Sequence, residues 1–182
     1  INTFFFNLNA IKSGQSRPDP STGSGRTGKF TPQKVGILGA GMMGAGIAYA
    51  QASRGIATVL KDVSLEKAEQ GKAYSQKMTQ PRVDKGRMNP NDQTALLGRI
   101  TPTANAADLN GCDLIIEAVF ENRVLKAQVT KEAEGMLAEG GFFASNTSTL
   151  PISGLAQASA KPEKFVGIHF FSPVDKMKLV EI

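Results

Sequence analysis

The sequence predicts a doubly wound α/β domain, with a mostly parallel β-sheet and helices on both of its faces. Short apolar runs alternate with longer segments of helical character, which favours parallel strands joined by crossover helices. The apolar runs are continuous, and this is typical of strands that are buried on both faces. A glycine-rich turn follows the first apolar run and opens the first helix, which is a third indication of this fold class.

The individual elements follow from this alternation in chain order. Strands are predicted at the apolar runs 35–38, 57–60, 113–119, 142–144, 165–168 and 179–180. Helices are predicted at 42–53, 64–88, 91–97, 124–138 and 152–158. In the long second helix, Ser64 is the expected N-cap, and Pro81 is expected to kink or break the helix because it lacks an N–H group.

The first 33 residues differ in composition from the rest of the chain. Between residues 12 and 28 the chain is rich in Ser, Gly, Pro and Thr and has no periodicity, which is typical of a linker. We therefore expect a linker over 1–33 and a folded domain over 34–182. The apolar, strand-like run at 178–182 leads us to expect that a longer protein continues beyond it.

Composition excludes several classes of protein. The 182 residues contain one Cys and one His, which excludes a disulfide scaffold and leads us to expect no metal site. Because no apolar run reaches the ~18 residues of a membrane span, a membrane partner is not expected. The net charge is +5, but five basic residues and one acidic residue lie within 1–34. The predicted domain is therefore nearly neutral, and we expect no nucleic-acid partner.

The glycine-rich turn has the Gly-x-Gly-x-x-Gly spacing of Rossmann-type dinucleotide-binding domains. Gly39 permits the tight turn, Gly41 lets a pyrophosphate approach the backbone, and Gly44 lets the helix pack closely. Met42 and Met43 lie in the same turn, where free N–H groups at the helix start face the phosphates. The alternative is a close-packed glycine turn that binds no ligand.

Asp62 is predicted at the end of the second strand, 18 residues after Gly44. A carboxylate at this position accepts hydrogen bonds from the adenosine ribose hydroxyls and repels a 2′-phosphate. We therefore expect NAD in preference to NADP, with Lys61 on the opposite side of the strand. The alternative for Asp62 is an ordinary acidic residue near a helix start.

Three polar segments, 120–122, 145–149 and 169–173, directly follow predicted strands. Ligands of doubly wound sheets bind at this carboxyl edge, although each segment alone is also compatible with a simple turn. His169 is the only histidine, and Glu181 follows twelve residues later. If their strands are neighbours, the carboxylate binds one ring nitrogen and fixes the tautomer, which makes an acid–base pair. Otherwise His169 is an ordinary core residue.

The runs 145–149, 169–173 and 178–182, together with 39–44 and 117–122, resemble the L-3-hydroxyacyl-CoA dehydrogenase family. The resemblance spans 34–182 without an obvious gap. It implies NAD as the cofactor and the oxidation of L-3-hydroxyacyl-CoA to 3-ketoacyl-CoA in fatty-acid β-oxidation.

The resemblance also implies a role for each matching residue. His169 would be the general base that takes the proton of the 3-hydroxyl, Glu181 would orient it, and Ser148 would bind the substrate oxygen. The residues implied to line the NAD site are Met43, Asp62, Phe120, Glu121, Lys126 and Ser172. The residues implied to contact the acyl-CoA substrate are Ser148, Asn146, Ser75 and Arg82.

The sequence departs from the family pattern at Ser172, where many members carry Asn with a longer reach. Members also have a helical C-terminal domain that supplies a further catalytic Asn, so we expect little turnover from residues 34–182 alone. The linker and its Phe-rich start are similar to the multifunctional fatty-acid oxidation enzymes. That similarity implies a thiolase β subunit as partner and a location in the bacterial cytoplasm.

Two other functions remain open from the sequence. One is a different Rossmann dehydrogenase that acts on β-hydroxy acids, although those enzymes typically use a catalytic lysine. The other is a catalytically silent relative that keeps the fold and an NAD site. The retention of His169, Glu181 and Ser148 argues against the silent relative without excluding it.

Overall fold

The computed structural model describes residues 30–182, of which Pro32–Ile182 form one compact unit. Six parallel strands form the main sheet, and two further strands form a separate antiparallel pair. The strands are β1 (Lys34–Leu38), β2 (Ala57–Lys61), β3 (Ile100–Thr103), β4 (Cys112–Glu117), β5 (Leu137–Ser145), β6 (Phe165–Gly167), β7 (His169–Phe170) and β8 (Val180–Glu181). The helices are α1 (Met42–Ala52), α2 (Leu65–Asp84), α3 (Pro90–Gly98), α4 (Arg123–Ala133) and α5 (Ile152–Ala156).

The order of strands in the main sheet is β3-β2-β1-β4-β5-β6, which confirms the doubly wound α/β prediction. The chain builds outward from β1 in one direction and then returns to build outward in the other. At the centre, Ile37 of β1 lies between Leu60 of β2 and Ile116 of β4. Because the order reverses between β1 and β4, a crevice for ligands opens beyond the carboxyl ends of these two strands.

The core lies on both faces of this sheet. Ile37, Leu60 and Ile116 belong to one buried cluster, which also contains Ile47 of α1. Their sequence neighbours Leu38, Val59 and Ile115 belong to a second buried cluster, on the opposite face. This two-sided burial is the reason that the strands are continuously apolar in the sequence.

Strand β3 was not predicted, and its sequence explains why. Its four residues, Ile-Thr-Pro-Thr, include Pro102, which lacks the N–H group that a central strand uses. The strand lies at the edge of the sheet and pairs only with β2, so the missing donor costs no ladder bond on the open side. A proline in the sequence usually indicates that a segment is not a strand, but a strand at the sheet edge tolerates it.

The long helix α2 begins as predicted and ends earlier than predicted. Ser64 caps it, because its Oγ accepts a hydrogen bond from the Lys67 amide at 3.3 Å. Pro81 lies within the helix, which continues to Asp84, so of the kink or break expected at this proline the break is wrong. Only one turn follows the proline, and the chain then leaves the helix at Gly86, whose φ is +64°.

Other boundaries also differ from the predictions. Helix α4 ends at Ala133, a short 3-10 turn follows, and β5 starts at Leu137, where the sequence predicts helix. The strand predicted over 165–168 is β6 of the main sheet and ends at Gly167, and a separate strand that was not predicted, β7, follows at His169–Phe170 and pairs with β8, so the chain is divided between the two sheets here. This division turns His169 away from the main sheet and towards the last strand.

The predicted linker over 1–33 lies, except for its last four residues, outside the described residues. Within residues 30–182, none of the helices combines the length and the apolarity that crossing a bilayer requires. The same range contains no group of three or more His, Cys, Asp or Glu side chains arranged to hold a metal ion.

Candidate active site

The glycine-rich turn connects β1 to α1 and has the shape that a diphosphate needs. Gly39 has φ of +92°, which favours glycine, and its N–H donates to the Lys61 carbonyl at 2.8 Å. A Cβ at Gly44 would lie 1.7 Å from the Gly39 oxygen, so α1 packs too closely for any side chain. A Cβ at Gly41 would meet no described atom within 4 Å, which leaves open space above the turn.

The N-terminus of α1 opens onto this space. Gly41 is its N-cap, no described side chain caps it, and its first turn contains no acidic residue. The first N–H groups of a helix have no partner within the helix, and with the helix dipole they favour an anion. The turn and the helix end together fit the phosphates of a dinucleotide.

A cleft of about 810 Å³ lies over the turn, and we call it the cofactor cleft. Its volume is typical of small-molecule sites. Residues predicted to bind cofactor that line it are Gly39, Gly41, Met42, Met43, Asp62 and Phe120. Lys67, Tyr74 and Lys77 of α2 also line the cleft.

Asp62 follows β2 and faces the glycine-rich turn. One carboxylate oxygen accepts the Ala40 amide at 2.7 Å and the other accepts the Val63 amide at 2.7 Å. Each oxygen keeps a second lone pair that can accept a ribose hydroxyl. Lys61 also borders the cofactor cleft, and its ammonium group pairs with Glu132 of α4 at 3.0 Å.

A buried ion pair lies beside the cofactor cleft, at the carboxyl ends of β4 and β5. Lys126 of α4 contacts the two carboxylate oxygens of Glu117 at 2.8 and 3.0 Å, and both side chains are 1% exposed or less. The carboxylate also accepts the Ser145 hydroxyl at 2.7 Å and the Val119 amide at 2.8 Å. Glu117 therefore holds Lys126 in the interior. The sequence predicted that Lys126 lines the NAD site, but it does not line the cofactor cleft.

Glu121 organises the loop that carries Ser148. One of its oxygens accepts the Ser148 and Thr149 amides at 3.2 Å and the Thr147 hydroxyl, and the other lies 3.3 Å from Lys126. Burial acts to raise the pKa of Glu121, but the hydrogen bonds from Thr147 and Thr149 and the charge of Lys126 lower it to about 2. Its carboxylate is used for the loop and does not line the cofactor cleft.

Asn146 connects this loop to the histidine segment. Its side-chain oxygen accepts the Phe170 amide at 3.1 Å, and its backbone carbonyl accepts a hydrogen bond from Lys126 at 3.1 Å. The predicted substrate contact therefore competes with a structural bond for the amide oxygen. The side-chain NH₂ group can donate to a ligand.

His169 and Glu181 form the pair that the sequence predicted conditionally. They are opposite each other in the β7–β8 pair, with Nδ1 of His169 2.8 Å from a carboxylate oxygen of Glu181. Their side chains are 31% and 59% exposed, so His169 is not a satisfied core residue. The Phe171 ring lies against the imidazole, with 4.5 Å between centroids.

A second pocket, of about 360 Å³, is lined by Ser148, His169 and Glu181, and we call it the catalytic pocket. The structure thus brings together the three residues predicted to be catalytic. The hydroxyl of Ser172 is 3.9 Å from the sulfur of Met42, which lines the cofactor cleft. Ser172 itself does not line the cofactor cleft, which agrees with its short reach.

The two residues predicted to contact CoA lie elsewhere. Ser75 is fully buried in α2, and its hydroxyl has no hydrogen-bond partner among the described residues. Arg82 is exposed and donates to the Tyr49 hydroxyl at 3.4 Å. Neither residue lines the cofactor cleft or the catalytic pocket, and a buried Ser75 is not available to a ligand.

Glu117 is the residue of this region that the sequence reasoning did not single out. An acidic residue at the end of an apolar strand, followed nine positions later by a lysine on a helix, was the signal that could have found it. Two such residues are adjacent only if the helix packs back on the strand's carboxyl end. That packing is a property of the fold.

Residues 34–182 match the family model described as "3-hydroxyacyl-CoA dehydrogenase, NAD binding domain". The chain is 45% identical over 149 residues to the fatty acid oxidation complex subunit alpha of Psychrobacter arcticus. That alignment covers 82% of this chain and 21% of the relative, so the chain spans about a fifth of the length of the curated relatives that it matches.

Solved structures of 3-hydroxybutyryl-CoA dehydrogenases are also similar to this chain. The (S)-3-hydroxybutyryl-CoA dehydrogenase of Ralstonia eutropha is similar with a TM-score of 0.78 and 37% identity, over 82% of this chain and 53% of that one. The 3-hydroxybutyryl-CoA dehydrogenase of Escherichia coli has a TM-score of 0.78 and 31% identity, over 83% and 32%. The chain therefore belongs to the 3-hydroxyacyl-CoA dehydrogenase family, and residues 34–182 are its NAD-binding domain.

Proposed function

We propose that this domain serves the NAD-dependent oxidation of L-3-hydroxyacyl-CoA to 3-ketoacyl-CoA in fatty-acid β-oxidation. The observation that carries the proposal is the 2.8 Å contact between His169 and Glu181 in a pocket that also contains Ser148. This pocket and the cofactor cleft lie at the same carboxyl edge of the sheet, as the reaction requires.

His169 acts as the general base. A carboxylate beside Nδ1 holds the proton on that nitrogen, so Nε2 is the unprotonated nitrogen that accepts the proton of the 3-hydroxyl. Glu181 keeps the ring in one orientation and stabilises the imidazolium that results. In the reverse reaction the same nitrogen returns the proton to the substrate oxygen.

Ser148 is proposed to orient the substrate, because it lines the catalytic pocket and a serine hydroxyl can donate to the 3-oxygen. NAD, when bound, supplies the acceptor for the hydride that leaves C3. The turn from Gly39 to Gly44 would hold its phosphates and Asp62 its adenosine ribose. Met43, Phe120 and Ser172 would lie along the rest of the NAD molecule.

The alternatives are less well supported. A β-hydroxy acid dehydrogenase that uses a lysine base has no need of the His169–Glu181 pair, whereas this pair is intact. A catalytically silent relative has no need of three functional residues in one pocket. Both arguments support the 3-hydroxyacyl-CoA dehydrogenase.

Partner and location are proposed from the relatives. Their name identifies them as subunit alpha of a fatty acid oxidation complex in Psychrobacter species, which supports assembly with a further subunit in a bacterial cell. The resemblance to multifunctional fatty-acid oxidation enzymes favours a thiolase β subunit as that partner and the cytoplasm as the location. Co-purification of a tagged protein from its natural host tests this. Isolation with no thiolase bound would contradict the proposed partner.

The activity is tested with the full-length protein and acetoacetyl-CoA, by following the oxidation of NADH spectrophotometrically. We expect reduction of acetoacetyl-CoA to L-3-hydroxybutyryl-CoA, and no reduction of acetoacetate, the free β-keto acid of the same carbon skeleton. Activity on the free acid without activity on the CoA thioester would favour the second candidate class.

A further inference from the structure

The Glu117–Lys126 ion pair is buried more completely than the stability of the fold explains. Both side chains are 1% exposed or less, so both charges have lost their hydration. Such pairs are rarely the most stable solution, because well-packed apolar residues in the same space are often equal or better. Its presence beside the catalytic pocket therefore points to a role in geometry.

The pair lies where three elements meet. Glu117 ends β4, Ser145 ends β5 and Lys126 belongs to α4. The Glu117 carboxylate binds the other two residues and also the Val119 amide, at 2.7 to 3.0 Å. It thereby sets the relative position of two strand ends and a helix.

Lys126 transmits this position to the catalytic pocket by two routes. Through the Asn146 carbonyl, at 3.1 Å, it holds the residue whose side chain binds the Phe170 amide, next to His169. Through Glu121, at 3.3 Å, it holds the carboxylate that binds the Ser148 amide. The base and the substrate-orienting hydroxyl are thus connected to one buried ammonium group.

We propose that Glu117 is a positioning residue, which acts through Lys126 to hold the Ser148 loop and the His169 segment at a fixed separation. The inference rests on the proposed function for its catalytic consequence. Glu117 itself does not line the catalytic pocket or the cofactor cleft. Its effect on the reaction is therefore one of geometry.

The first test is amide hydrogen exchange of the 182-residue chain carrying Glu117→Gln. We expect the amides of Ser148, Thr149 and Phe170 to exchange about tenfold faster or more, because their acceptors are no longer fixed. The Gly39 amide, bound to the Lys61 carbonyl in the glycine-rich turn, is expected to keep its rate.

Glu134→Gln is the matched control. Like Glu117, Glu134 accepts a serine hydroxyl and a backbone amide, from Ser159 and Ala160, each at 2.7 Å. It has no contact with the catalytic pocket. We expect no change at Ser148, Thr149 or Phe170 in this variant.

If Glu117→Gln does not fold because it leaves Lys126 with too little negative charge, the double variant Glu117→Gln/Lys126→Met removes both members together. The same amides are measured in that protein.

In the full-length protein carrying the same substitutions, we expect kcat to fall about 10- to 100-fold while the Kd for NAD stays nearly constant.

Unchanged exchange at the three amides would overturn the inference. Uniformly faster exchange across the sheet would also overturn it, because it indicates a general loss of stability. Exchange requires no substrate, so selective loosening in a protein without dehydrogenase activity would overturn the proposed function and leave the positioning role supported.

Discussion

The cofactor cleft and the catalytic pocket lie at the same edge of the sheet and are built by different means. The cleft depends on backbone shape, namely the positive φ of Gly39, the open space at Gly41 and the close contact at Gly44. The pocket depends on side-chain hydrogen bonds between residues 12 to 28 positions apart. The cleft should therefore be sensitive to added volume and the pocket to lost polar groups.

The largest expected effect is a loss of turnover caused by a substitution in the catalytic pocket that leaves the cofactor cleft unchanged. His169→Gln removes the base and keeps a polar side chain of similar size. We expect turnover of the full-length protein to fall about 10²- to 10⁴-fold, the usual contribution of a general base. Steady-state kinetics measure this loss, and titration calorimetry should find the NAD affinity nearly unchanged. A parallel loss of NAD affinity would show that the regions are not independent.

The next effect comes from the cleft and uses two alanine substitutions. Gly41→Ala should fold normally, because its φ is −66° and its Cβ meets nothing, but should weaken NAD binding about tenfold or more by contact with the phosphates. Gly44→Ala should lower the free energy of unfolding by about 1–3 kcal/mol, because its Cβ collides with the Gly39 carbonyl.

Thermal unfolding and NAD titration distinguish these variants. Gly98→Ala is the control, since it ends a helix and its Cβ also meets no described atom within 4 Å. Equal destabilisation by Gly41→Ala and Gly44→Ala would contradict the different roles assigned to them.

A smaller effect is expected from the charge of Asp62. Asp62→Asn keeps an oxygen for the Ala40 amide and removes the negative charge that opposes a 2′-phosphate. We expect the preference for NAD over NADP to fall about tenfold, the value of one charge-assisted hydrogen bond. Parallel titrations with both cofactors measure the ratio. Asp113→Asn, which also changes a carboxylate bound to backbone amides, is the control and should leave the ratio as it is.

The smallest effect concerns the pH dependence of the Ser148 loop. The folded pKa of Glu121, about 2, is below its ordinary value of 4.5. Its ionised form therefore contributes stability that is present above pH 4.5 and is lost as the pH falls towards 2. Glu121→Gln should unfold more easily than the natural chain at neutral pH, and the difference should shrink through this window. Urea unfolding at several pH values measures it, and a constant difference would contradict the assignment.

Much of the fold and of the cleft could be predicted from the sequence, because local rules govern them. The Gly-x-Gly-x-x-Gly spacing, the buried strands and the Ser64 cap each depend on residues close together in the chain. Edge strand β3 could not be predicted, because Pro102 is acceptable only at a sheet edge. The position at which α2 ends could not be predicted either, because the helix continues past Pro81 to Asp84.

The catalytic pocket shows where sequence reasoning stops. The sequence by itself determined the residue types, a lone histidine with an acid twelve positions later and a serine in a polar segment. Only the tertiary structure decided that β7 leaves the main sheet to pair with β8, and that Glu117 and Lys126 form a buried pair. The physical reason is that ion pairs and strand partners depend on distances in space, which residues far apart in the chain acquire only when the whole sheet has formed.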